Sequence, residues 1–145
     1  MNEASFTNFQ VTGKYLSIET LAILHKIREV GELLSRDRSA RSVIREAHPE
    51  ICFWALSRGL GLKHPKKKKD GFIERKDLLQ SVFPMTVDIL EHALKSYLRK
   101  NVGKDDILDA LANVATARLG FGKFKTFPEV PPKDSTGLPM EMVYF

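Results

Sequence analysis

Acidic residues fall at two places in this chain where they are disfavoured unless they do something. In "VIREAHPEICFWAL" (43–56), Glu46 stands between Ile44 and Ala47, in a short run compatible with a strand, where glutamate is a poor choice. In "DDILDALA" (105–112), Asp106 and Asp109 are three apart and share one helix face, while Leu108, Leu111 and Ala115 line another. Asp105 is placed to cap that helix and support the pair. Asp109 lies a full turn inside, where the dipole benefit has faded and aspartate is a poor helix former. Oxygens paired on one face suit a hard cation. If strand and helix pack together, Glu46, Asp106 and Asp109 converge at one end of a sheet. There they would ligate Mg2+ or Mn2+, activating water and stabilising the transition state of phosphodiester hydrolysis.

Other groups in the same stretches carry weaker signals. His48 could be a metal ligand or orient Glu46 from behind the ligands; equally, it could hydrogen-bond a turn backbone. Glu50 reads as a first-turn acid after Pro49. Cys52 lies in the apolar run Ile51–Leu56 and is read as core rather than nucleophile. "KHPKKKKDG" (63–71) packs five lysines and a histidine into a turn-like stretch. Lys66, Lys67, Lys68 and Lys69 can attract a phosphate backbone by counterion release, or simply form a solvated loop. His25, His64 and His92 have no ligand spacing, and no phosphate-binding glycine loop is present.

The elements that must position these groups are mostly helical. Residues 1–13 lack a strong period and read as a loop or tail. Ile18, Leu21, Leu24, Ile27, Val30 and Leu34 then recur at helical spacing behind Ser17, predicting a capped helix over 17–35. "RDRSARS" interrupts the period, a strand is expected near 43–47, and Pro49 opens a helix over 49–57. Three more helices follow. "GFIERKDLLQSVF" stops before Pro84, "VDILEHALKSYLRK" extends its apolar stripe to Tyr97 and Leu98, and the last follows Gly103 and has its end marked by Gly120 and Gly122. The proline-rich tail ends in "MEMVYF", a candidate strand. Two short strands cannot make a sheet of ordinary size, so the sheet is expected to be incomplete.

A chain of 145 residues with 43% hydrophobic composition suits one packed domain. A single cysteine excludes an internal disulfide framework. No apolar run approaches the roughly 20 residues of a membrane span, and "MNEASFTNFQ" lacks a signal-peptide pattern, so a cytoplasmic protein is expected. The formal charge of +5 is concentrated in the lysine run.

Five ordered blocks, "KIREVGELL" (26–34), "IREAHPEICFWAL" (44–56), "KKDGFIERKDLL" (68–79), "DDILDALANVATARLG" (105–120) and "GLPMEMVYF" (137–145), resemble the domain-of-unknown-function 429 family. That family is regarded as a predicted nuclease group of the ribonuclease H-like superfamily. "DILDALA" also resembles the last-helix aspartate pattern of Holliday-junction resolvases in that superfamily. The resemblance implies an α/β chain forming the C-terminal portion of a ribonuclease H-like fold, with Glu46 as strand carboxylate and Asp106 and Asp109 as last-helix carboxylates. It also implies magnesium and a nucleic-acid partner. The superfamily's opening strand carries a first catalytic aspartate, and here no aspartate precedes Asp37. The chain is therefore expected to start inside the domain and to have impaired activity. The rival expectation is a non-catalytic nucleic-acid-binding or protein-interaction module. An exposed sheet edge would also permit a homodimer.

Overall fold

The computed structural model describes residues 2–145. The chain divides into two compact units, one ending at Ile44 and one formed by Arg45–Phe145. Each is described separately.

In the first unit, α1 (Glu3–Thr12), α2 (Ile18–Arg36) and α3 (Arg38–Val43) follow one another closely. The loop expected over 1–13 is corrected by α1. Its caps, rather than an apolar period, define it. The Asn2 side chain accepts the Ala4 N–H at 3.0 Å. Gly13, at φ +73°, closes the helix with its N–H on the Phe9 carbonyl. Helix α2 begins where Ser17 predicts, with the Ser17 Oγ accepting the Thr20 N–H at 3.1 Å. None of its residues is buried. Asp37 opens α3 by accepting the Ser39 and Ala40 N–H groups, so a capped turn occupies the polar stretch where the period breaks.

The second unit comprises α4 (Pro49–Leu56), α5 (Lys69–Val82), α6 (Thr86–Ser96), α7 (Lys104–Gly120), and strands β1 (Lys125–Phe127) and β2 (Met142–Tyr144). Helix α7 is the axis. Ile107, Leu108, Leu111, Ala112 and Ala115 line its buried face and meet Cys52 and Phe53 of α4, Leu79 of α5 and Leu90 of α6. Phe53 and Leu79 are fully enclosed. Truncating Phe53 to alanine would cost about 3–5 kcal/mol in transfer and cavity terms. Helix α6 ends before the expected stripe does. Tyr97 is its C-cap, and Tyr97 and Leu98 are exposed.

The strand expected near 43–47 is not formed. Backbone 44–48 has no regular secondary structure. The Glu46 carbonyl accepts the Val143 N–H at 2.7 Å, beside β2, but a strand needs a repeating ladder. The C-terminal strand is present, paired antiparallel with β1: Lys125 faces Tyr144, Thr126 faces Val143 and Phe127 faces Met142. The molecule is thus helix-rich, and the sheet of its described residues is this two-stranded ribbon. Among the described residues no helix is long and apolar enough to cross a membrane.

Candidate functional site

The second unit gathers its charges where α4, the lysine run, α5 and α7 meet. Lys66 Nζ donates to Asp109 Oδ2 at 2.9 Å, and the Asp109 side chain is only 17% exposed. That hydrogen bond is the main reason the Lys66 ammonium titrates above the ordinary lysine value, with the charges of Asp109, Glu50 and Asp105 adding to it. The other oxygen, Asp109 Oδ1, is buried without a hydrogen-bond partner. Such an atom is costly to leave unsatisfied, and a binding site is one place where that cost is met by a ligand.

Beside this pair, Arg75 of α5 is buried, and its Nη2 donates to both Glu50 oxygens, at 3.0 and 2.9 Å. Its Nη1 donates to the carbonyls of His64 and Gly71 at 3.0 and 3.2 Å. The guanidinium also lies 5.5 Å from the Phe53 ring centre. One cation therefore ties the start of α4 to the lysine run. Glu74 fastens the same run from the next position, accepting the Lys63 N–H at 2.8 Å and the His64 N–H at 3.0 Å. Gly71 makes the close approach possible: a Cβ there would lie 2.1 Å from the Pro65 carbonyl oxygen. The run is consequently a braced loop that delivers Lys66 to α7. Lys67, Lys68 and Lys69 remain exposed, Lys68 as the N-cap of α5.

The expected carboxylate trio is distributed differently. Asp109 is enclosed as described, but Asp106 is exposed and its Oδ2 accepts the Gly103 N–H at 3.0 Å. Gly103, not Asp105, is the N-cap of α7, and Asp105 is half-buried in the first turn. Glu46 is exposed. His48 caps α4, its Nδ1 accepting the Glu50 N–H at 3.3 Å. This is the backbone role that sequence left open beside ligation, and it leaves the ring proton on Nε2. Cys52 is enclosed in the core, where burial pushes its thiol pKa up.

Among the described residues, no three His, Cys, Asp or Glu side chains come together as a metal-holding group. Glu46, Asp106 and Asp109 do not fit a cation held by three protein carboxylates. Asp109 Oδ1 is enclosed and Oδ2 is taken by the Lys66 ammonium, so a hydrated magnesium, which keeps several waters, would reach this carboxylate only with Lys66 moved aside. Arg75 and Glu50 are the functional candidates that sequence reasoning missed. In sequence, Glu50 is an ordinary first-turn acid and Arg75 an ordinary charge within "ERKD"; only burial distinguishes them.

Fold and site together define a helix-rich protein with a small β-ribbon and a partly buried carboxylate–ammonium–guanidinium cluster. The chain belongs to the family described as Protein of unknown function (DUF429), whose model matches residues 1–133. No curated protein and no solved structure matched it.

Proposed function

We propose that this chain belongs to a ribonuclease H-like domain that hydrolyses phosphodiesters of nucleic acid. The observation that carries this reading is the state of Asp109. It is a largely buried carboxylate held through Oδ2 by Lys66, with Oδ1 unpartnered. Asp109 is the residue that would hold a magnesium or manganese ion, whose chemistry is neutralising phosphate charge and activating water. Lys66 fixes the Asp109 rotamer and would have to give up Oδ2 to an incoming ion. Lys67, Lys68 and Lys69 supply exposed charge for the phosphate backbone. Arg75 keeps Glu50 and the lysine run in place while remaining buried itself.

Magnesium-dependent cleavage of DNA, RNA and hybrid substrates tests the reading. Weak cleavage by the unaltered chain, in keeping with the impaired activity expected from its sequence, and its loss in Asp109→Asn are expected, because the amide keeps shape but loses charge. Undiminished cleavage by Asp109→Asn would remove the assignment. Salt-sensitive binding without any cleavage would instead support a nucleic-acid-binding module.

A further inference from the structure

A cleft of about 510 Å³ opens in the Arg45–Phe145 unit between α4 and the ribbon. Its apolar walls are Ile51 and Trp54 from α4 and Phe127, Met142 and Tyr144 from the strands. Its polar groups are His48 and Glu50, at the start of α4. Strand alternation explains the lining. Val143 points into the core and is 3% exposed, which leaves Met142 and Tyr144 to the opposite face, with Phe127 directly across from Met142. The Trp54 ring stands edge-on to Tyr144, with centroids 5.7 Å apart and planes at 70°. Trp54 is 44% exposed and Phe127 63%, so two large aromatic surfaces remain open to a ligand.

Three aromatic rings in an almost wholly apolar lining, with His48 and Glu50 beside them, suit the face of a flat aromatic ring. Any nucleobase offers a π-face for stacking and edge groups for hydrogen bonding. The volume falls in the range of small-ligand sites, about 300–1,000 Å³. Glu50 belongs to both regions: it lines the cleft, and it holds Arg75 while its charge acts on Lys66. A base in the cleft is thereby next to the cluster proposed to act on its phosphodiester. A base stacked within a duplex cannot enter, whereas one in a single strand can.

We infer that this cleft is a base-stacking subsite taking one unpaired base of a single-stranded nucleic acid, with the lysine run attracting the adjoining backbone. The inference rests on the phosphodiester reading for its choice of ligand, but its test does not require cleavage. Trp54 is the chain's single tryptophan, so intrinsic fluorescence reports directly on the cleft wall.

The full chain is titrated, in the presence of EDTA, with a deoxythymidylate oligonucleotide, a uridylate oligonucleotide, a duplex of the same length and thymidine monophosphate. Saturable quenching by the single strands, with weak or no quenching by the duplex, is expected. Phe127→Ala, at an exposed position that need not disturb the core, should raise the single-strand Kd by about fivefold or more. Quenching by the duplex as strong as by the single strands would overturn the inference, as would an unchanged Kd in Phe127→Ala. Equal affinity for thymidine monophosphate would overturn the strand and make a free nucleotide the ligand. Quenching without cleavage under magnesium strikes only the phosphodiester reading; cleavage without quenching strikes only the cleft.

Discussion

Lys66 reaches 43 positions along the chain to place its Nζ 2.9 Å from Asp109 Oδ2. The pair joins a braced loop to the central helix and leaves one buried carboxylate oxygen without a partner. Replacing Lys66 by methionine retains most of the aliphatic stem but strands Asp109 altogether. A loss of about 1–3 kcal/mol is expected, the cost of a largely buried group deprived of its partner. The double variant Lys66→Met, Asp109→Leu should lose less than the sum of the single variants. Urea unfolding of the four proteins checks both expectations, and strict additivity would mean that the pair is not coupled.

Gly71 permits the approach of the lysine run to α5. With the Pro65 carbonyl oxygen 2.1 Å from where its Cβ would be, Gly71→Ala must displace the backbone that delivers Lys66. Helix propensity alone would favour alanine by up to about 1 kcal/mol. The expected result is nevertheless a destabilisation of about 1–3 kcal/mol from overpacking, read as a lowered urea midpoint.

The Glu74 carboxylate is held below its ordinary value of 4.5, chiefly by the Lys63 N–H, with the His64 N–H contributing. A carboxylate with a depressed folded pKa contributes stability that is fully present above its unfolded value and is lost as pH falls through the folded one. The braced loop should therefore be intact at neutral pH and loosen below about pH 4.5. Amide exchange at Lys63 and His64, followed by NMR across this window, should show protection disappearing on acidification. In Glu74→Gln the specific pH dependence of these two amides should vanish.

The C-terminal strand is fastened to the backbone before α4. Arg45 Nε donates to Glu141 Oε1 at 2.8 Å, its Nη2 donates to the same oxygen, and the Glu141 side chain is 7% exposed. Arg45→Ala would leave that carboxylate buried without its cation, at an expected cost of about 1–3 kcal/mol. Faster limited proteolysis after residue 138 should accompany the loss, while Glu141→Gln, which retains an acceptor, should be milder.

Where local chemistry specifies an element, the sequence predicts it well. Ser17 and Pro49 start α2 and α4 as their capping and φ preferences require, and Gly103 and Gly120 bracket α7. α1 and α3 were hidden because their signals are single capping residues, Asn2 and Asp37, without a sustained apolar period. For 43–47, short-range composition cannot supply a partner, and one hydrogen bond from Val143 to Glu46 is not a ladder. Among the candidate site residues, spacing marked Asp109 as unusual but did not separate it from Asp106, whose carboxylate satisfies the Gly103 N–H.

The sequence by itself determined the helix-rich character, the lysine run, the apolar run Ile51–Leu56 that contains the buried Cys52 and Phe53, and the anomaly of an aspartate one turn inside α7. These follow from periodicity, capping and residue chemistry, which act over a few positions. Tertiary structure alone decided that Lys66 meets Asp109, that Arg75 clasps Glu50, and that Trp54, Phe127 and Tyr144 share a cleft. Each of these joins residues far apart in the chain. Their energies depend on burial and on packing around α7, neither of which is encoded at a single position.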